Sequence, residues 1–216
     1  AYIIAADKED HALYRLIRIP VDEDMPAKRM LEFRSNSGEF MLFGEQGNVL
    51  LGYTTEEGSA KLVCFRKDVQ EPVLAVAADA GVSDMSAVPG AAGEFVVATN
   101  TKFRDGAAIG RGKIYRVRLN EVPEALEIAT YHQPVTWVVP FKRDCLVLVR
   151  GGGIVNNGGQ VIRYSADSGK LKLLRRAKYP LLDPMHSADR TSLMVSSYTE
   201  GYALDKGGPL QALVFK

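Results

Sequence analysis

The sequence has little of what usually marks a function. Only 2 cysteines and 3 histidines stand among its 216 residues. Cys64 and Cys145 lie in separate apolar runs, which excludes a disulfide-dense scaffold. Two buried reduced thiols are the expected state, a disulfide the other reading, and the compartment stays open. His11, His132 and His186 are isolated. None has the short spacing that zinc ligands take, so each is expected to be structural or solvent-facing. Charge of one sign is also lacking. The formal net charge is +1 and the basic residues form no block, so nothing points to nucleic acid. No apolar run approaches the roughly 20 residues of a membrane-spanning helix. No stretch keeps helical periodicity over three turns.

What is present is an internal repeat. Apolar runs that end in small or polar residues begin at Tyr2, Val49, Phe95, Leu146 and Leu193. Their spacing of about 46 to 51 residues lies within the range of propeller blades. The fourth residue of each run is Ala5, Gly52, Ala98, Val149 or Ser196, small in four cases of the five. A second apolar run follows each, as Leu13–Leu16, Leu62–Phe65, Ile114–Val117, Val161–Tyr164 and Ala212–Phe215. Three of these carry arginine at the third place, Arg15, Arg116 and Arg163. In a strand with packed faces such an arginine either snorkels to the edge or meets a carboxylate. Third strands are expected at Arg29–Arg34, Pro72–Ala77, Leu126–Tyr131 and Leu171–Arg176. Weaker fourth elements at Gly38–Gly44, Asp84–Pro89, Val135–Phe141 and Met185–Thr191 are expected to close the units.

Four-stranded units of this length, repeated, predict an all-β chain: a β-propeller with four to five blades of four-stranded antiparallel sheet, as one domain or segment over 1–216. The chain resembles the broad WD40-like and six-bladed propeller superfamilies. The Trp-Asp and Gly-His pairs of true WD40 repeats are missing, and Trp137 is followed by Val138. Gly112–Val117 and Gly158–Tyr164 look more like strands of sugar-lactonase or strictosidine-synthase-type propellers. The chain opens on the run Tyr2–Ala6, expected to be an innermost strand, and closes on the second-type run Leu210–Phe215. The expectation is therefore a stretch of a longer protein. Its remaining strands would come from outside these residues or from another chain.

The loops between first and second strands differ most along the chain. In a propeller they share one face, and long variable loops on a rigid scaffold are where partners bind. The candidate binding residues there are Glu9, Asp10, His11, Glu56, Glu57, Arg104, Asp105, Arg111, Asn156, Asn157, Tyr198 and Tyr202. The face runs from acidic in units one and two to basic in unit three. The glycine-rich loop 151–159 invites a phosphate-loop reading, but no helix and no Gly-Lys-Ser/Thr follow. Ser187, His186 and Asp189 supply triad residue types without a nucleophile elbow. Lactonase-type propellers hold a divalent metal at strand ends around the axis. Of the first-strand ends Asp7, Thr54, Asn100, Gly151 and Tyr198, only Asp7 and Asn100 are strong oxygen ligands. The reading is a non-enzymatic scaffold that recognises protein, without a cofactor. The alternative is a lactonase- or hydrolase-type enzyme with an axial divalent metal.

Overall fold

The computed structural model describes all residues except 21–25, 36–39, 46–47, 67–72, 79–80, 102, 105–106, 109, 121, 152–157, 188–191, 199–209 and 216. Among the described residues every regular element is a strand, and no helix is long and apolar enough to cross a membrane. Sheet one holds β1 (Tyr2–Ala6), β2 (Leu13–Arg18) and β3 (Lys28–Arg34). Sheet two holds β4 (Phe40–Glu45), β5 (Asn48–Thr54), β6 (Ala60–Phe65) and β7 (Val73–Ala78). Sheet three begins with β8 (Gly81–Ala87) and β9 (Glu94–Asn100). A two-stranded ribbon, β10 (Phe103–Arg104) with β11 (Ala107–Ala108), interrupts it before β12 (Gly112–Arg118) and β13 (Glu124–Tyr131). Sheet four holds β14 (Val135–Phe141), β15 (Asp144–Val149), β16 (Gln160–Tyr164) and β17 (Leu171–Arg176). Sheet five holds β18 (Leu181–His186), β19 (Leu193–Tyr198) and β20 (Leu210–Phe215). All pairings are antiparallel between sheet neighbours.

Most strands stand close to where the sequence placed them, but β18 starts four residues before the expected Met185–Thr191 and the grouping differs by one. The weak fourth elements do not close a unit. Each opens the next sheet, as β4, β8, β14 and β18. The reason is local. A tight turn pairs the strand before it with the strand after it. At Lys142-Arg143, with Lys142 at a φ of 54°, Phe141 pairs with Asp144 across the turn. Gly93, at a φ of 71°, serves the same end between β8 and β9. The opening strands also lie against one another: β4 on β8, β8 on β14, β14 on β18. They are the innermost strands, so β1 is a second-position strand and not an innermost one.

The core is divided between the sheets. Leu16 and Phe33 of sheet one pack on Val49, Leu51, Val63 and Phe65 of sheet two. Leu50, Leu62 and Cys64 on the other face of sheet two meet Met85, Phe95 and Val97 of sheet three. Val96, Ala98 and Ile114 then meet Val138, Val147 and Tyr164 of sheet four. Leu146, Leu148 and Val161 meet Leu181, Val195 and Leu213 of sheet five. Successive sheets therefore stack face to face. The middle ones bury both faces, which is why β9 and β15 are buried along their whole length. Strands covered on both sides need apolar residues at consecutive positions, and those are the runs in the sequence.

The recurrent small residue is set by packing between successive sheets. A β-carbon on Gly52 would stand 3.2 Å from Leu62 Cδ2 and 3.2 Å from Met85 Sδ. Ala98 is fully buried against Val135 and Val138. Both positions lie beneath the innermost strand of the following sheet. In sheet four the residue on this face is Leu148, and Val149 turns to the opposite cluster. The fourth repeat thus sits one residue out of the expected alignment. Gly52→Val and Ala98→Leu should each lower stability by about 1–3 kcal/mol through overpacking. Chemical denaturation measures this, and parent-like midpoints for both would contradict the packing.

Candidate functional site

The end of the molecule that carries the β1–β2 and β5–β6 loops is organised by carboxylates. Asp7 follows β1, and its Oδ1 accepts the backbone N–H groups of Glu9 (2.9 Å) and Asp10 (3.2 Å). Its Oδ2 meets Arg15 at 2.7 Å. The two backbone donors, then Arg15, hold its carboxyl below the usual range. Arg34, at the end of β3, reaches Asp10 Oδ2 with Nη1 (2.6 Å) and Glu56 Oε2 with Nε (3.0 Å). It depresses the Asp10 carboxyl chiefly by that hydrogen bond, and its own guanidinium is held more firmly protonated. One arginine therefore ties the first loop to the second.

Of the expected binding residues, the structure joins Asp10 and Glu56 through Arg34, which sequence reasoning passed over. Its only signal was a cation at the third-strand end nearest two acidic loops. Glu9, His11 and Glu57 are exposed beside this tie. Arg111 is exposed in the third loop, where its backbone N–H donates to Thr101 Oγ1 at 3.0 Å. Arg104 lies in the β10–β11 ribbon opposite Ala107, and Tyr198 ends β19 opposite Leu210. Asp105, Asn156, Asn157 and Tyr202 fall outside the described residues.

Two of the strand-end residues considered for a metal, Thr54 and Asn100, act between sheets. Asn100 is fully buried. Its Nδ2 donates to Val135 O (2.9 Å), and its Oδ1 accepts Val135 N–H (3.0 Å). Thr54 Oγ1 accepts the N–H of Val82 at 3.1 Å, one sheet earlier. Ser83 Oγ donates to Val135 O at 2.7 Å, and Asp84 Oδ2 accepts the N–H of Val138 at 2.7 Å. Adjacent sheets are thus laced by side chains onto backbone, because no β-ladder runs between them. No three metal-ligating side chains gather among the described residues. Asp7 and Asn100 belong to different sheets, and each already serves backbone donors.

The remaining candidates resolve one at a time. His11, His132 and His186 are all exposed. Ser187 Oγ accepts the N–H of Ser192 at 3.0 Å within a turn, and Asp189 is outside the described residues. Cys64 and Cys145 are free and buried. Burial pushes the Cys64 thiol up, and carries Cys145 to about 12. Neither thiolate forms at neutral pH, so labelling of the native chain by a thiol reagent should be slow and should accelerate on unfolding. Rapid labelling of the native chain would contradict this burial.

A charged chain on the rim between sheets three and four was not foreseen. Glu94, only 4% exposed, opens β9. Its Oε2 takes a 2.7 Å hydrogen bond from Arg118 Nε, and its Oε1 accepts the Tyr164 hydroxyl. Arg116 in turn bonds the Tyr164 oxygen. The same device recurs one sheet on, where Asp144 opens β15 and pairs with Arg163. Two of the three mid-strand arginines therefore meet carboxylates, as Arg15 and Arg163 do. Arg116 meets a phenol.

The chain matches no protein-family model and no curated protein sequence. Solved structures do resemble it. Saccharomyces cerevisiae Sqt1 superposes with a TM-score of 0.54 at 10% identity, over 86% of this chain and 52% of that one. A Bacteroides uniformis protein assigned as a 6-phosphogluconolactonase gives 0.51 at 12% identity, over 97% of this chain and 69% of that one. The chain spans about half the length of Sqt1. Identities this low carry the architecture and nothing of the activity. Five consecutive face-stacked antiparallel sheets and this likeness identify the fold as a β-propeller.

Proposed function

We propose that the chain is a non-enzymatic recognition platform for protein, with the β1–β2, β5–β6 and β9–β12 loops as its contact surface. The observation behind this is the Arg34 tie. It fixes two loops from different sheets in one arrangement and leaves Glu9, His11 and Glu57 exposed around it. A rigid base with variable charged projections suits recognition of a basic partner surface. Asp105, Asn156, Asn157, Tyr198 and Tyr202 are proposed as further members of the surface. The experiment compares quantitative affinity capture by the parent with capture by a Glu9→Lys, Glu57→Lys variant of equal melting temperature. Selective loss of the same proteins supports the platform. Identical capture profiles speak against this surface. Stoichiometric divalent metal in the purified chain, with turnover of lactones, would establish the lactonase-type enzyme instead.

The outward faces of the two end sheets favour further strands beside this chain. On sheet five Met185 and Val214 flank Met194 across the ladder and are 51% and 55% exposed. On sheet one Ile3 stands opposite Ile17, exposed on the face away from sheet two. The middle sheets bury such rows against a neighbour. We infer that the ring is completed by strands from outside these 216 residues or from another chain. Expressed alone, these residues should self-associate through the open faces. A monodisperse, cooperatively melting monomer would overturn that inference.

A further inference from the structure

A cleft of about 290 Å³ opens on the outer rim of sheet three. Arg116, Arg118, Glu124, Ala125 and Leu126 line it. Its arginines differ in their partners. Arg118 is neutralised by Glu94 and feels the charge of Glu124. Arg116 has no carboxylate partner among the described residues; what it holds is the Tyr164 oxygen, whose proton is already given to Glu94. Both carboxylates, Glu94 and Glu124, therefore act on Arg118, while Arg116 faces a phenol.

Arg116 is also pinned. Its Nη1 lies 2.5 Å from where a β-carbon on Gly169 would stand, so it lies over the β16–β17 turn in space that only glycine leaves open. The guanidinium is thus held before any ligand arrives, which lowers the ordering cost of binding. Beside it stands apolar surface. Leu126 is the register partner of Arg116 on β13, shares its face of the sheet, and is 53% exposed. A fixed, uncompensated guanidinium next to an exposed leucine is a site for a ligand with an anionic head and an aliphatic tail.

We propose that this cleft binds a carboxylate carried on a short aliphatic chain, the carboxylate on Arg116 and the chain over Leu126. Glu124 lies toward Arg118 and sets the limit of the anionic subsite, so a second acidic group on the ligand is disfavoured. The ligand chemistry is shared by a free branched-chain acid and by the C-terminus of a peptide that ends in an aliphatic residue.

The test uses the full protein in which these residues occur, with titration calorimetry against 4-methylpentanoate, 4-methylpentanamide and an acetylated Gly-Gly-Leu peptide with a free carboxylate. Both acids should bind and the amide should not. Tighter binding of the peptide identifies a chain end as the source; tighter binding of the free acid identifies a small metabolite. Arg116→Gln should weaken both acids at least tenfold. Because that change also touches Tyr164, a second variant is used. Leu126→Glu alters an exposed side chain and places a carboxylate opposite Arg116, so it should abolish binding while raising the melting temperature. Equal binding of acid and amide, no binding of either acid, or unchanged affinity in Leu126→Glu would each overturn the proposal.

Discussion

Gly112→Val should unfold the chain at a temperature lower by roughly 6–12 °C, the shift expected for about 3 kcal/mol in a domain of this size. Gly112 opens β12 at the point where the backbone crosses from sheet three to sheet four. A β-carbon there would stand 2.6 Å from Val135 N, 2.6 Å from Val135 Cγ2 and 2.8 Å from Gln133 O. Two of those atoms are backbone and cannot rotate aside. The crossing segment must shift, and the 3.0 Å bond from Gly112 N to Gln133 O goes with it. Overpacking typically costs about 2 kcal/mol, and loss of a buried hydrogen bond adds about 1 kcal/mol. Gly159 repeats the arrangement one sheet on, where its N–H donates to Tyr179 O at 3.0 Å and Leu181 crowds the missing side chain. Gly44→Ala is the control. Its nearest neighbours stand 3.8 and 4.0 Å away, so its midpoint should stay within about 0.5 kcal/mol of the parent. Equal melting of Gly112→Val and the parent would mean that the crossing does not pass where the structure has it.

That glycine shows what was legible in the sequence and what was not. The strands could be read because each carries its own signal: consecutive apolar residues bounded by turn residues. Val135–Phe141 and Leu171–Arg176 stand at the expected bounds. The grouping into sheets was missed because a weak strand and a strong one look unequal in sequence, although the turn between them pairs them. The site was harder for a different reason. Asn100 reads as a strand end with an oxygen donor, and its role rests on Val135, which is 35 residues away. Arg34 and Asp10 are 24 residues apart, and the sequence offers no register to join them. Arg116, Arg15 and Arg163 share one sequence pattern. Only the structure separates them, because their partners lie on other strands and, for Arg116, in the next sheet.

Asp84 gives the second large effect, a stability that falls as pH rises. It sits on β8 at the bulge between Val82 and Asp84, and its carboxylate accepts the N–H of Met85 (2.8 Å) and of Val138 (2.7 Å). Burial between the innermost strands outweighs those two bonds and raises its pKa from 3.8 to about 6. An acid whose pKa is raised on folding binds its proton more tightly in the folded state. Its contribution is therefore fully present below the unfolded value near 3.8 and is lost as pH rises through about 6. The full swing is on the order of 3 kcal/mol, of which roughly 1–2 kcal/mol falls between about pH 5 and about pH 8. Asp7, Asp10 and Glu127 have depressed values, so what they contribute is lost as pH falls and acts below that window. Cys145 and Tyr164 titrate above it. Denaturation of the parent should therefore give a midpoint that drops from about pH 5 to about pH 8. Asp84→Asn keeps one acceptor oxygen for the two N–H groups and has no proton to lose, so its midpoint should be lower at about pH 5 and nearly level across the range. If Asp84→Asn keeps the parent's slope, the buried carboxylate is not its source, and the lacing of β8 onto β14 has no titrating member.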